Sequence, residues 1–325
     1  MTKVKKLRVA LLTGGISNER EISLKSGSEV QKALNPDRYQ VSVYDLKEGL
    51  APLVADAPRI DVALIILHGR FGEDGTVQGM LELLGIPYQG SGVLGSALAI
   101  NKRLAKTLYR QEGLPVGRDY LVRQGDHLDL NAAAQKLGWP IVVKPNSEGS
   151  SIGVQLAKNF KELSEIIKQT FSIDQEVLIE EHIKGREITA GVLGNQSLQS
   201  LPIVEIIPAE SYEFFDYEAK YKEKASREIC PADLPESITR LAQEYALRAH
   251  RVLNLRGYSR TDMIVRGEKI FLLETNTIPG MTQTSLLPLA ARVAGMDFPD
   301  LLDRLIDLAL EDKNPGQEEN KPNNF

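Results

Sequence analysis

The chain has 325 residues, 42% hydrophobic and 26% charged, enough apolar material for about two or three packed domains and far from a disordered composition. Its net charge is −5 with no long basic run, which excludes nucleic acid as a partner, and no apolar run approaches the ~20 residues of a membrane span. The single cysteine, Cys230, rules out an internal disulfide and fits a reducing, cytoplasmic setting.

The basic-then-apolar start MTKVKKLRVALLTGG has no small-residue cleavage site after it, so LRVALLTGG reads as a buried strand ending in a glycine turn, not as a leader. Asn18 stands three residues before Glu21, a capping box that starts a helix through EISLKSGSEVQKAL. VSVYDL and DVALIILHG are further strands, and TVQGMLELLG is a short helix closed by Gly85. Strands alternating with helices over the first hundred residues predict a parallel sheet covered on both faces.

A second segment starts near residue 99. KRLAKTLYRQEG is a helix ended by Gly113, and GLPVGRDYLV leads into a strand. PIVVKPNSEGSSIGVQLA reads as strand, polar glycine-rich loop, strand, which is a hairpin; KELSEIIKQTF is helical and EVLIEEHI is a strand. From about Lys184 come the strands ITAGVLG and LPIVEIIP, then a polar, aromatic stretch from Ser211 to Glu228. PESITRLAQEYALRAHRVLNLRG is an amphipathic helix with Gly257 as its stop. SRTDMIV and KIFLLETN form a hairpin around Arg266-Gly267-Glu268, and LLDRLIDLALED precedes a polar tail that should be disordered.

Four constellations carry chemistry. Glu274 and Asn276 are two apart on a strand and share a face, which Leu272 continues, while Phe271 and Leu273 fill the other. For Asp262 to join them it must pair at or near Glu274, which requires an odd-numbered loop, most simply Gly267–Lys269. Three hard oxygen donors of this type suit Mg²⁺ bridging nucleotide phosphates; otherwise they are only a hairpin's polar face, where paired carboxylates would repel. Lys144 ends an apolar strand, and the loop after it could fold over phosphates with backbone N–H groups and hydroxyls as donors, or be a surface turn; the residues alone do not choose. It is not a P-loop, since G-x-x-x-x-G-K-[ST] is absent. Gly14-Gly15 with Glu19, and His68-Gly69, lie at the C-terminal ends of parallel strands, where open α/β sheets place ligands, but without the G-x-G-x-x-G spacing of a dinucleotide site. YEFFDYEAKYKEK is a lid or an aromatic patch on the core.

Together these segments resemble the D-alanine–D-alanine ligases of the ATP-grasp superfamily, from LLTGGISNEREISL through HGRFGEDGTVQGMLELLGIPYQGSGVLGSALAINK, VVKPNSEGSSIGV, FFDYEAKY and SRTDM to LLETNTIPGMTQTSLLP. The resemblance implies an α/β chain with α+β elements. Its parts would be an N-terminal substrate domain (1–98), a central ATP-grasp subdomain (99–183), a C-terminal subdomain with metal site and lid (184–312) and a tail (313–325). It also implies roles. Lys102, Lys144 and Lys220 would bind ATP. Glu180 would contact the base, the backbone of Glu181 and Ile183 its edge, and Glu187 the ribose. Asp262, Glu274 and Asn276 would hold two Mg²⁺, with Mn²⁺ as a substitute. Glu19, helped by His68, would face the first D-alanine's ammonium, with Ser150 and Tyr221 orienting Glu19 and tying the lid. Arg260 and the Gly280 N–H would be oxyanion donors, and Ser285 would meet the second D-alanine's carboxylate.

The implied reaction passes through an acylphosphate, and the implied assembly is a homodimer. Tyr221, where makers of D-alanyl-D-lactate carry histidine, favours the dipeptide; a D-lactate or D-serine product and a non-catalytic nucleotide-binding protein are the alternatives. Asn101 stands where many members have Asp, and Thr261 where an aliphatic residue is frequent.

Overall fold

Val9 and Leu11 alternate with Ala10 and Leu12, so both faces of the first strand are apolar, as a strand buried on both sides requires. In the structure, a computed structural model that describes residues 5–126, 129–149, 152–208 and 226–311, this strand is β1 (Leu7–Thr13). It is followed by α1 (Arg20–Ala33), β2 (Tyr39–Asp45), α2 (Ala51–Asp56), β3 (Val62–Ile65) and α3 (Thr76–Leu83). The sheet is parallel with β1 central, in the order β2-β1-β3. Ala10, Leu12 and Ile65 pack on Leu53 of α2 and on Val77 and Leu81 of α3. Val9, Leu11 and Leu64 pack on Val30 of α1 and on Leu301, Leu305 and Ile306 from the far end of the chain. The predicted two-sided cover is therefore present, with part of one layer supplied from some 240 residues away, as a rough span read from the sequence.

Helix α1 starts at Arg20, with Glu19 in the N-cap position and no side-chain cap, so the capping box expected from Asn18 and Glu21 does not form. Two successive left-handed glycines, Gly14 (φ +71°) and Gly15 (φ +75°), carry the chain off β1, and a Cβ on Gly14 would lie 2.3 Å from Asp45 Oδ1. The turn delivers Glu19 into the interior, where it is 2% exposed.

After α4 (Val93–Ile100) and α5 (Lys102–Gln111) comes an antiparallel sheet, β4-β7-β5-β6, built from β4 (Asp119–Arg123), β5 (Ile141–Pro145), β6 (Gln155–Ala157) and β7 (Glu176–Glu181). Helices α6 (Leu130–Leu137) and α7 (Phe160–Thr170) cover one face of it through Ala133, Leu137, Leu163 and Ile167. Asn101 caps α5 by accepting from Leu104 N at 3.0 Å, which an aspartate would do equally.

The third sheet runs β11-β10-β8-β12-β13, with β9 (Gln199–Ser200) paired to β8. Its other strands are β8 (Arg186–Gly194), β10 (Val204–Pro208), β11 (Ser226–Ile229), β12 (Gly257–Arg266) and β13 (Lys269–Asn276). The end of the stretch expected to be loop up to Glu228 is thus strand, since Ser226–Ile229 pairs with β10. Helix α8 (Glu236–Val252) packs Ile238, Ala242 and Ala246 on this sheet; it stops before the left-handed Asn254 (φ +55°), and Gly257, expected as the stop, opens β12. Helices α9 (Leu286–Val293) and α10 (Phe298–Glu311) end the described chain. The tail from 313, the lid residues and Ser150 lie outside the described residues. No helix among the described residues is long and apolar enough to cross a membrane.

Two interior histidines set an acid limit on stability. His250 is fully buried with Nδ1 2.8 Å from Ser259 Oγ, and burial lowers it to about 4; His68 is likewise lowered to about 4 by burial. The unfolded chain takes up these protons below about pH 6.5, while the folded chain does so only near pH 4, so stability falls as the pH drops through that window. At pH 5 each histidine costs about 2 kcal/mol. Urea unfolding of wild type and His250→Gln at pH 7.5 and 5 should show the variant losing about 2 kcal/mol less. Equal losses would show that His250 is not held neutral.

Candidate functional site

A cavity of about 700 Å³ opens between the second and third sheets, lined by β5, β7 and the segment after it, β8, β10, β12 and β13, with Lys102 and Lys106 of α5. Its size and mixed lining fit a cofactor-sized ligand.

The hairpin β12–β13 brings the three oxygen donors together by a route other than the expected one. Asp262 pairs with Glu274, but the loop is only Gly267-Glu268, because Arg266 pairs with Lys269. The odd residue is instead a bulge in β13: Met263 pairs with Leu272, leaving Leu273 unopposed. Consequently Leu272 is fully buried in the core with Met263, and Leu273 lines the cavity beside Glu274, the reverse of the alternation expected from a regular strand. Behind the donors, buried Thr261 meets Thr275 (Oγ1–Oγ1 2.9 Å), to which Tyr109 donates at 2.7 Å; the unusual hydroxyl at 261 is satisfied across the hairpin.

Asp262 accepts from Thr189 Oγ1 (2.6 Å), from Asn276 Nδ2 (3.1 Å) and from a forked Arg260 (3.0 and 2.9 Å). Glu274 lies 3.4 Å from Lys102 Nζ. Among the described residues no three His, Cys, Asp or Glu side chains cluster as a metal site. The donor set fits Mg²⁺ only when shared: two carboxylates and the Asn276 amide oxygen, completed by phosphate oxygens and water.

Opposite the hairpin, Lys144 Nζ lies 2.9 Å from Glu180 Oε2, and Lys106 Nζ 2.6 Å from Oε1. The Glu180 carboxylate, expected at a base, is thus committed to two lysines, which hold it well down, at about 2, against burial. Glu181 forms an ion pair with Arg118 at 2.6 Å, and Glu181, Ile183 and Glu187 all line the cavity. Lys102 reaches across, donating to the Glu148 carbonyl at 2.5 Å while facing Glu274.

The first sheet supplies a second cluster. Glu19 and His68 are buried, and the loop after β3 adds Glu73, 6% exposed, which accepts from Gly69 N at 2.7 Å. Burial and then the charge of Glu19 raise Glu73 to about 8. Burial also lowers His68, and the Arg260 charge acts in the same direction. Gly149, at the tip of the glycine-rich loop, closes against this cluster. A Cβ there would stand 2.8 Å from Glu19 Oε2 and 3.3 Å from Glu73 Oε2. Gly149→Ala should therefore push the loop off, lowering kcat about 100-fold with the fold retained by circular dichroism. Activity within threefold of wild type would mean that this approach is not needed.

Ser285 sits at the N-terminus of α9, its Oγ accepting from Thr282 N (3.1 Å), and Gly280 packs against it: a Cβ on Gly280 would be 3.1 Å from that Oγ. Lys220, Tyr221 and Ser150 belong to the stretches outside the described residues, so the structure leaves their expected roles aside.

Sequence reasoning missed Lys106 and Glu73. Lys106 follows Lys102 by four residues, one helical turn on the same face, a signal open to reading. Glu73 lies in HGRFGEDGT, beside the His68 that drew notice, but nothing local marks which acid of that loop turns inward.

A family model described as D-ala D-ala ligase C-terminus matches residues 108–307, and one described as D-ala D-ala ligase N-terminus matches residues 51–91. The chain is 61% identical over 307 residues to a D-alanine--D-alanine ligase of Syntrophobacter fumaroxidans, covering 94% of this chain and 99% of the relative. It is 52% identical over 311 residues to one of Desulfotalea psychrophila, covering 95% and 97%. Among solved structures it is similar to a D-alanine--D-alanine ligase of Bacillus anthracis complexed with ATP, with TM-score 0.84, 36% identity and coverage of 94% and 98%.

Proposed function

The chain belongs to the D-alanine–D-alanine ligase family, and from this we infer that it joins two D-alanine molecules into D-alanyl-D-alanine for peptidoglycan precursors, converting ATP to ADP and phosphate. The observation that carries the reading to the site is the glycine-rich loop: its Glu148 carbonyl takes Lys102 at the nucleotide cavity, while its Gly149 abuts Glu19 and Glu73. One loop thus touches the cavity that suits ATP and the buried carboxylates that suit an ammonium.

The residue roles follow as proposals. Glu19 binds the first D-alanine's ammonium, so that its carboxylate attacks the γ-phosphate in line. Lys102, Lys144 and Arg260 carry positive charge around the transferring group. Asp262, Glu274 and Asn276 would hold Mg²⁺, which when bound would neutralise phosphate charge. The second D-alanine, its carboxylate at Ser285 on the N-terminus of α9, adds its neutral amine to the acylphosphate carbon, Arg260 and the Gly280 N–H take up the oxyanion, and the C–O bond to phosphate breaks as phosphate and the amine's surplus proton leave. Closure of the loop through Gly149 excludes water, which would hydrolyse the acylphosphate. Tyr221 in the lid favours the dipeptide over a depsipeptide. We place the enzyme in the cytoplasm, where ATP is available, as a homodimer; sedimentation at micromolar concentration tests the assembly.

The deciding experiment is ATP- and Mg²⁺-dependent phosphate release with D-alanine, L-alanine, or D-alanine plus D-lactate, with products identified by mass. Release with D-alanine alone and the dipeptide mass is expected. A depsipeptide as main product at neutral pH would overturn the role of Tyr221, and no release with any substrate would overturn the substrate assignment.

A further inference from the structure

Two lysines and one glutamate share the deep end of the nucleotide cavity. Lys106 is 1% exposed and Lys144 6% exposed, and they take opposite oxygens of the Glu180 carboxylate, at 2.6 and 2.9 Å. Burial of Lys106 is costly in itself: desolvation lowers it to about 8 even with Glu180 alongside. A carboxylate this dry needs a cation in contact, and removing its last partner leaves an uncompensated buried charge. If Lys144 were that sole partner, turning its ammonium toward a phosphate would strip Glu180. With Lys106 in place, Glu180 keeps one cation whichever way Lys144 points.

We propose that Lys106 is a positioning residue for nucleotide binding: it stays on Glu180 as a standing counter-ion and so frees the Lys144 ammonium for the polyphosphate. This rests on the reading of the cavity as the ATP site. Lys106 touches no phosphate in this arrangement; it acts through Glu180 on Lys144. Without it, Glu180 holds Lys144 back, and the loss falls on ligands that carry phosphate and spares those that lack it.

The test is calorimetric titration of the full-length protein with ATP, ADP and adenosine. The variants are Lys106→Met, Glu180→Gln, the two combined, and Lys144→Met. Lys106→Met should weaken ATP and ADP about tenfold and adenosine less than twofold, a selectivity a merely structural role would not produce. In the Glu180→Gln background the same change should cost ATP less than threefold, because no carboxylate competes for Lys144. This comparison remains available if Lys106→Met alone does not fold, since the double variant leaves no buried carboxylate short of a cation. Equal weakening of ATP and adenosine, or a tenfold loss of ATP affinity persisting in the Glu180→Gln background, would overturn the proposal. Failure of Lys144→Met to weaken ATP would instead overturn the reading of the cavity on which it rests.

Discussion

Glu274→Gln is expected to lower phosphate release about 1000-fold while leaving ATP affinity within tenfold of wild type. The side chain keeps its size, so the hairpin and its bulge should persist; what is lost is the carboxylate that faces the cavity beside Asp262. In the free protein Glu274 balances Lys102 across 3.4 Å. Its neutralisation therefore leaves Lys102 more electropositive, which offsets part of any loss in nucleotide binding. On the proposed roles, by contrast, the transferring phosphoryl group would depend on a cation held by both acids. Phosphate release and ATP titration on one preparation read the two effects separately. Turnover within tenfold of wild type would remove Glu274 from the metal role.

Glu19→Gln should raise KM for the first D-alanine about 100-fold and leave KM for ATP unchanged if the proposed roles hold, because a buried negative charge is lost while the cavity between the second and third sheets is untouched. The same variant has a signature independent of substrate. Glu73 is raised to about 8 by burial and then by the charge of Glu19, far above an unfolded glutamate near 4.5. The folded chain thus holds a proton that the unfolded chain has released, so stability is lost as the pH rises between 4.5 and 8. Between pH 7 and 8.5 the histidines are largely neutral in both states and do not mask this loss. With Glu19 uncharged, Glu73 ionises at lower pH, and melting temperature should fall less over that interval than in wild type. An identical fall in both proteins would show that the two carboxylates do not interact.

The parts of the fold that could be read from sequence are those where one period repeats undisturbed. The apolar runs of β1 (Val9–Leu12) and β3, the glycine-closed α3 and the spacing of Glu274 and Asn276 all follow local rules, and the structure keeps them. What escaped depends on a residue yielding to a distant partner. Asn18 has every mark of a cap, but the double glycine turn and the burial of Glu19 decide where α1 begins. Parity called for an odd-numbered loop for Asp262 to meet Glu274, whereas the loop has two residues and a bulge restores the pairing. Local rules could not say whether the loop or a bulge supplies the odd residue, and the bulge reverses Leu272 and Leu273. Likewise, that the Glu180 carboxylate goes to two lysines is visible only once α5 lies against β5 and β7.

The layer over Val9, Leu11 and Leu64 comes in part from α10, so the first sheet to leave the ribosome waits for the last helix. At bacterial synthesis rates that wait is on the order of ten seconds or more, during which a strongly apolar face stands uncovered. The loops after β1 and β3, which carry Glu19 and His68, are anchored to that sheet. A chain cut short before Phe298 would therefore lack more than a terminal helix: it would expose a sticky surface, and the Glu19 and His68 loops would have no firm base. Nascent-chain protection and quality control thus bear on this enzyme through its last described turn of helix.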